Sequence, residues 1–254
     1  MSKTAENKDK QEQIIPTGFP ELDKELAGGI HQNDLVLIGY RPGNSFWWFQ
    51  SHLILNAAKR FQERKKKEFV LVFSLNFCAK EIGEQLSRLN PLWMKDHNIH
   101  IVETAPLATP DEIREYIDFL EKEYKAKAGL IIINHLGFIT DENNYYETDG
   151  SVLFPLKIIA SEKNTPIVVS HILPRDVECH EEINYFPPRF TFFRAIRKEL
   201  YHPDIILTLH RPDFYKKVGK TNEDFDNSLR VQCHKNDYGY KFLCDIDCDD
   251  KEFV

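Results

Sequence analysis

The chain has 254 residues, room for one large α/β domain, and its 42% hydrophobic and 29% charged residues are ordinary for a soluble globular protein. No run approaches the roughly eighteen consecutive apolar residues of a membrane span, and the polar start MSKTAENKDKQEQ lacks the apolar centre of a secretory signal. A net charge of −7 argues against a surface that is basic overall, the usual means of gripping nucleic-acid phosphates, and leaves only a local basic face open.

Residues 1–13 read as a disordered lead-in, 14–246 as a single domain without internal repeats, and 247–254 as an acidic tail. Within the domain, apolar runs alternate with helical patterns. Asp34 to Gly39 is a buried strand, Phe46 to Arg64 a helix, and Phe69 to Leu75 a strand rich in Val and Phe. Ala79 to Leu89 is an amphipathic helix stopped by Asn90-Pro91, and Ile99 to Val102 a short strand. Thr109 caps the next helix, with Pro110 at its first position and Asp111 and Glu112 in its first turn. Ile113, Ile117, Leu120 and Tyr124 form its apolar stripe.

Gly129 to Ile133 is a strand, 141–150 a polar loop, Val152 to Glu162 a helix and Pro166 to Ser170 a strand. A long loop runs from Arg175 to Arg189. Phe192 to Tyr201 is helical, Asp204 to His210 a strand, and Leu229 to His234 pairs with Tyr240 to Asp245 as a hairpin. Alternating apolar strands and helices imply an α/β fold: a mostly parallel central sheet with helices on both faces and a C-terminal β-hairpin.

Lys59, Arg60, Arg64, Lys65, Lys66 and Lys67 form one basic run, explained by cations complementing a helix C-terminus. The cysteines (Cys78, Cys179, Cys233, Cys244, Cys248) are odd in number and make no C-x-x-C pair, which fits free thiols in a reducing cytoplasm. The adjacent Cys179, His180, Glu181 and Glu182 cannot all face one ion, so no metal site is read there.

In open α/β sheets, ligands bind beyond the C-terminal ends of the strands. Here the first buried strand runs into Tyr40-Arg41-Pro42-Gly43-Asn44-Ser45-Phe46-Trp47-Trp48 and then a helix. Strand, tight loop and helix is the layout of a phosphate-binding loop. A working loop needs glycines for backbone donors, a Lys for the terminal phosphates and a hydroxyl for magnesium.

The segments Ile15-Pro16-Thr17-Gly18-Phe19, Leu22-Asp23, Gly28-Gly29, Asp34-Leu35, Arg41-Pro42, Phe73-Ser74-Leu75, the GLIII strand, Val169-Ser170-His171 and Arg194 followed by Asp204 are in order and spacing similar to the motor domain of DnaB-type replicative helicases. The resemblance covers roughly residues 14 to 245 and implies a RecA-like fold of the P-loop NTPase type. It also implies what is missing. In its register Ser45 stands at the last loop glycine, Phe46 at the phosphate-binding Lys and Trp47 at the magnesium-binding hydroxyl. Asn76 stands at the catalytic Glu, Asn134 at the magnesium-steering Asp and His171 at a sensor Gln. At the hairpin, where the family offers Lys and Arg to a neighbouring subunit, Lys235 is retained and Asp237 falls near the Arg.

Phosphoryl transfer rests on electrostatic stabilisation and oriented water, so these losses compound, and no hydrolysis and no resident cofactor are expected. Weak binding of ATP with magnesium by the helix N-terminus stays open. For Phe46, two readings stand: a ring plugging the phosphate pocket, and ordinary core packing of the Phe46–Phe49 aromatic run.

The resemblance places single-stranded DNA contacts on the loops after Ile133 and Ser170. The first offers Tyr145 and Tyr146 for base stacking beside Asp141, Glu142, Glu147 and Asp149. The second offers Arg175 and Arg189 among Asp176, Glu178, Glu181 and Glu182, with Arg194 beyond. Neither makes a basic track. So little chain precedes the similar region that a linker helix for docking on a neighbour is not expected; a monomer or small oligomer is. Three functions follow: a non-catalytic binding or regulatory protein of DNA replication, repair or mobile elements, partnered by single-stranded DNA or a replication protein; a rewired ATP-binding helicase; or a scaffold with no nucleic-acid role.

Overall fold

A computed structural model describes residues 14–43, 45–64, 67–75, 79–95, 98–103, 108–140, 152–173, 189–217 and 227–248. Ten strands and six α-helices follow one another along the described chain. The strands are β1 (Ile14–Ile15), β2 (Ile30–His31), β3 (Leu35–Tyr40), β4 (Glu68–Ser74), β5 (Ile99–Glu103), β6 (Lys127–Asn134), β7 (Ile167–Ile172), β8 (Ile205–His210), β9 (Ser228–Asn236) and β10 (Leu243–Asp247). The helices are α1 (Pro20–Glu25), α2 (Phe46–Arg64), α3 (Ala79–Leu89), α4 (Pro110–Tyr124), α5 (Leu153–Lys163) and α6 (Pro212–Lys217).

Eight strands form one sheet in the order β10-β9-β8-β3-β7-β6-β4-β5. From β8 to β5 the pairing is parallel; β9 and β10 close one edge antiparallel. The period-two alternation of each strand divides the core in two. Val36, Ile38, Val70 and Val72 join the layer under α2 and α3, while Leu35, Leu37, Phe69 and Leu71 join the layer under α4 and α5. Every residue of β3 is buried, as a strand covered on both faces requires. Gly129 of β6 lets the Phe61 ring of α2 lie directly on the strand, where a Cβ would collide.

Helix boundaries follow local chemistry. Thr109 and Glu112 form a full capping box: Thr109 Oγ1 accepts from Glu112 N at 3.2 Å and Glu112 Oε2 accepts from Thr109 N at 2.7 Å. The segment expected as a helix from Phe192 is instead a run of 3-10 turns over Phe190–Glu199, broken at Phe193 and Ile196. β1, β2, α1 and α6 are additions to the sequence reading. No described helix is long and apolar enough to cross a membrane.

Candidate functional site

β3 sits between two parallel neighbours, β8 and β7, so its C-terminal end opens at the middle of the sheet. The chain leaves it through Arg41, which is 0% exposed and donates from Nη2 to His210 Nδ1, the last residue of β8, at 2.8 Å. Pro42 and Gly43 are exposed; Gly43 has φ +83° and Ser45 φ +57°, and Phe46 opens α2. Asn44 lies outside the described residues.

The segment after β8 closes over this loop. The Phe214 ring of α6 lies where a Cβ on Gly43 would be, so that only glycine admits it. Arg211, 5% exposed, donates from Nη1 to Ser45 Oγ at 3.2 Å. Its Nε and Nη2 take both carboxylate oxygens of Asp213 at 2.7 and 2.6 Å, and Nη2 also reaches Asn227 Oδ1 at 3.1 Å. A two-pronged guanidinium–carboxylate pair of this kind is strong and directional. It ties loop, β8 end and β9 start together.

Phe46 is 3% exposed. Its ring stacks on Tyr40 with centroids 4.1 Å apart and planes at 9°, and Trp47 meets it edge-on at 5.3 Å. Trp48 and Phe49 turn away from the loop to Phe19, whose ring stacks on Phe49 at 5.1 Å. Phe46, Trp48 and Phe49 all belong to one core cluster, Phe46 on the side of Tyr40 at the end of β3, and the half-buried Trp47 packs against it. Gln50 and Ser51, next along α2, are buried, and their side-chain polar atoms have no hydrogen-bond partner among the described residues. No local sequence pattern points to them.

At the neighbouring strand ends, Asn134 is 1% exposed. Its Oδ1 accepts from Ser170 Oγ at 3.3 Å and its backbone oxygen from Leu75 N at 2.8 Å. His135 Nδ1 accepts from Gly137 N at 3.1 Å. Burial holds His135 down at about 4, and burial followed by the proximity of His135 holds His171 at about 4. Both imidazoles are neutral at pH 7. Magnesium takes carboxylate, phosphate and water oxygens; an amide and two neutral imidazoles bring it no charge. No group of three or more His, Cys, Asp or Glu among the described residues could hold a metal ion. With Phe46 at the head of α2 and both arginines engaged, the described residues do not fit a magnesium–nucleotide group.

Of the other residues singled out in the sequence, Asn76, Tyr145, Tyr146 and Arg175, like the side chain of Arg194, lie outside the described residues. Arg189 is exposed just before the 3-10 run. Lys235 turns inward: Nζ donates to the carbonyls of Tyr201, at 2.9 Å, and Pro203, and lies 3.4 Å from Asp237 Oδ2.

No family model matches the chain. In sequence it is similar to the replicative DNA helicase DnaB of Geobacillus stearothermophilus, 27% identical over 240 residues, which covers 83% of this chain and 50% of the relative. It is equally similar to the replicative DNA helicase DnaC of Bacillus subtilis, 27% identical over 231 residues, 80% of this chain and 48% of that one. The chain thus spans about half the length of these relatives. Among solved structures, an ATPase domain superposes with a TM-score of 0.78 at 19% identity, covering 99% of this chain and 93% of that one. A DnaB-like replicative helicase, described with its interactions with primase, does so with a TM-score of 0.78 at 18% identity, over 98% and 62%.

Proposed function

We propose that this chain, related in sequence to DnaB-type replicative helicases and built on the RecA-like α/β fold of their ATPase domain, has lost ATP chemistry and acts as a non-catalytic binding or regulatory protein of DNA replication. The observation that carries the reading is Phe46: at the position the resemblance gives to the phosphate-binding Lys, an aromatic ring is buried flat on Tyr40. Burying such a ring favours the closed loop by about 1.5–3 kcal/mol over exposing it. A phosphate entering beside it would be desolvated without a cation to compensate. Asn134, His135 and His171 add no charge at the strand ends. The partner on this reading is single-stranded DNA or a replication protein, the chain working as a monomer or small oligomer in a reducing cytoplasm.

The test has two arms. Purified chain is assayed for magnesium-dependent ATP hydrolysis with and without single-stranded DNA, and for binding of a fluorescent ATP analogue; turnover above background that survives stringent purification overturns the loss of ATP chemistry. Binding to labelled single strands at low and moderate salt then decides the DNA partner, since a phosphate-contacting interface weakens steeply with salt.

A further inference from the structure

At the end of the sheet opposite the phosphate loop, charge is retained and buried. Asp34, just before β3, is 1% exposed. Its Oδ2 accepts from His31 N at 2.8 Å, and its Oδ1 accepts from the hydroxyl of Tyr238. Tyr238 belongs to the turn between β9 and β10 and lays its ring on that of His31, centroids 4.0 Å apart. The same turn is held by Asp237 N donating to Asp204 O at 3.1 Å and by Tyr238 N donating to Asn236 Oδ1 at 3.1 Å.

The charged and titratable groups around Asp34 come from every neighbouring element: His31 from β2, Tyr238 and Asp237 from the turn, Lys235 from β9, Asp204 from the residue before β8, and Lys157 from α5. The two lysines are committed elsewhere. Lys157 Nζ takes both oxygens of Asp204, at 2.8 and 2.7 Å, and Asn33 O at 2.8 Å; Lys235 holds the Tyr201 and Pro203 carbonyls. Among the described residues Asp34 therefore has hydrogen-bond donors and no ion pair. Desolvation pushes its carboxyl up to about 6 despite the bonds from Tyr238 and His31, with Asp204 adding repulsion. Desolvation and the neighbouring Asp34 push the Tyr238 phenol further up, so it stays a donor.

We propose that the β9–β10 turn is a pH-responsive latch, clamped to the root of β3 through Tyr238 and Asp34, and that ionisation of Asp34 loosens the clamp. With Asp34 neutral, carboxyl and phenol share a hydrogen bond and nothing charged is buried. With Asp34 ionised, the closed turn keeps out of water a carboxylate that has two hydrogen-bond donors but no cation, a desolvation cost that outweighs the two bonds, and lifting the turn rehydrates it. Opening frees the covered face of Tyr238, itself 41% exposed in the closed turn, next to the exposed Tyr240, and so changes the face this edge presents to a partner.

Hydrogen exchange of the turn amides of Asp237 and Tyr238 in the full chain, corrected for intrinsic rates, tests this against core amides of β3 as a reference. A carboxyl at about 6 when closed and near 3.8 when open makes the turn about tenfold more open at about pH 7.5 than at about pH 5. Asp34→Asn is expected to abolish that ratio, with far-UV circular dichroism confirming the fold. Tyr238→Phe is expected to raise opening at pH 7.5 and change it less at pH 5, and it carries the test alone if Asp34→Asn fails to fold. Turn protection that does not vary with pH, or a ratio that survives in Asp34→Asn, overturns the latch; the latter would assign the dependence to another group such as His31.

Discussion

The two ends of the central sheet treat buried polarity in opposite ways. At the C-terminal end of β3, Phe46 and Asn134 stand at positions that the resemblance gives to charged groups, His171 is neutral, the Arg211 guanidinium is matched by Asp213 and that of Arg41 donates to His210. At the N-terminal end the buried Asp34 is repelled by the nearby Asp204, and the ammonium of Lys157 pairs with Asp204 and not with Asp34. An end whose buried cations are engaged by neighbouring side chains can be closed tightly; an end that keeps a carboxylate without a cation remains sensitive to pH. Closure at one end and responsiveness at the other follow from the same desolvation physics with different residues.

Reintroducing charge at the closed end should have the largest effect. Phe46→Lys removes a buried ring and forces an ammonium toward Tyr40, and is expected to destabilise by about 4 kcal/mol in urea unfolding without restoring ATP turnover. If the variant matches the wild type in stability and gains nucleotide binding, the loop is far less sealed than its stacking indicates. Breaking the fork at Arg211 comes next. Arg211→Ala leaves Asp213 buried and releases Ser45, with an expected loss of about 3 kcal/mol; the double change with Asp213→Asn should be milder than Arg211→Ala alone.

The two ends also predict opposite slopes of stability against pH. His135 and His171, lowered from 6.5 to about 4, contribute stability that is full above 6.5 and lost as pH falls toward 4. Asp34, raised from 3.8 to about 6, contributes stability that is full below 3.8 and lost as pH rises through 6. Two histidines outweigh one aspartate, so thermal unfolding midpoints should climb between about pH 4.5 and 6.5, by an effect on the order of 2 kcal/mol. His135→Asn with His171→Asn should flatten or reverse that slope; an unchanged slope would mean that the histidines are hydrated. Smallest is Ser45→Gly, at φ +57°. Relief of the left-handed backbone should outweigh the lost Arg211 bond by no more than about 1 kcal/mol, read as a shift in melting midpoint.

Much of the closed end was legible in the sequence, because its signals are local. The bounds of α2 and α3, the strand before the loop and the Thr109 cap all follow from runs and spacings within a few residues. α1 and α6 went unread although Pro20-Glu21 and Pro212-Asp213 repeat the proline-then-acid start that marked α4; both helices are only six residues long, too short for periodicity to show. β1 and β2 have two residues each and exist through the pairing of Ile14 with His31 and Ile15 with Ile30. The contacts that close the loop, Arg211 to Ser45 and Arg41 to His210, span more than 160 residues of chain, and the Tyr238–Asp34 bond spans 204. No local pattern encodes a partner at that distance, so fork and latch alike emerged only from the folded chain.

The Gly43–Phe214 contact has a consequence for how this sequence can drift. One ring fills the only space in which residue 43 could carry a side chain, so the two positions are not independently mutable. A side chain at 43 escapes its clash only alongside a smaller residue at 214, while the left-handed φ of +83° still strains it, and a smaller residue at 214 on its own leaves a void over the loop. Among chains that keep this closed loop, the two positions should therefore covary, and Gly43→Ala should be partly rescued by Phe214→Leu rather than worsened by it.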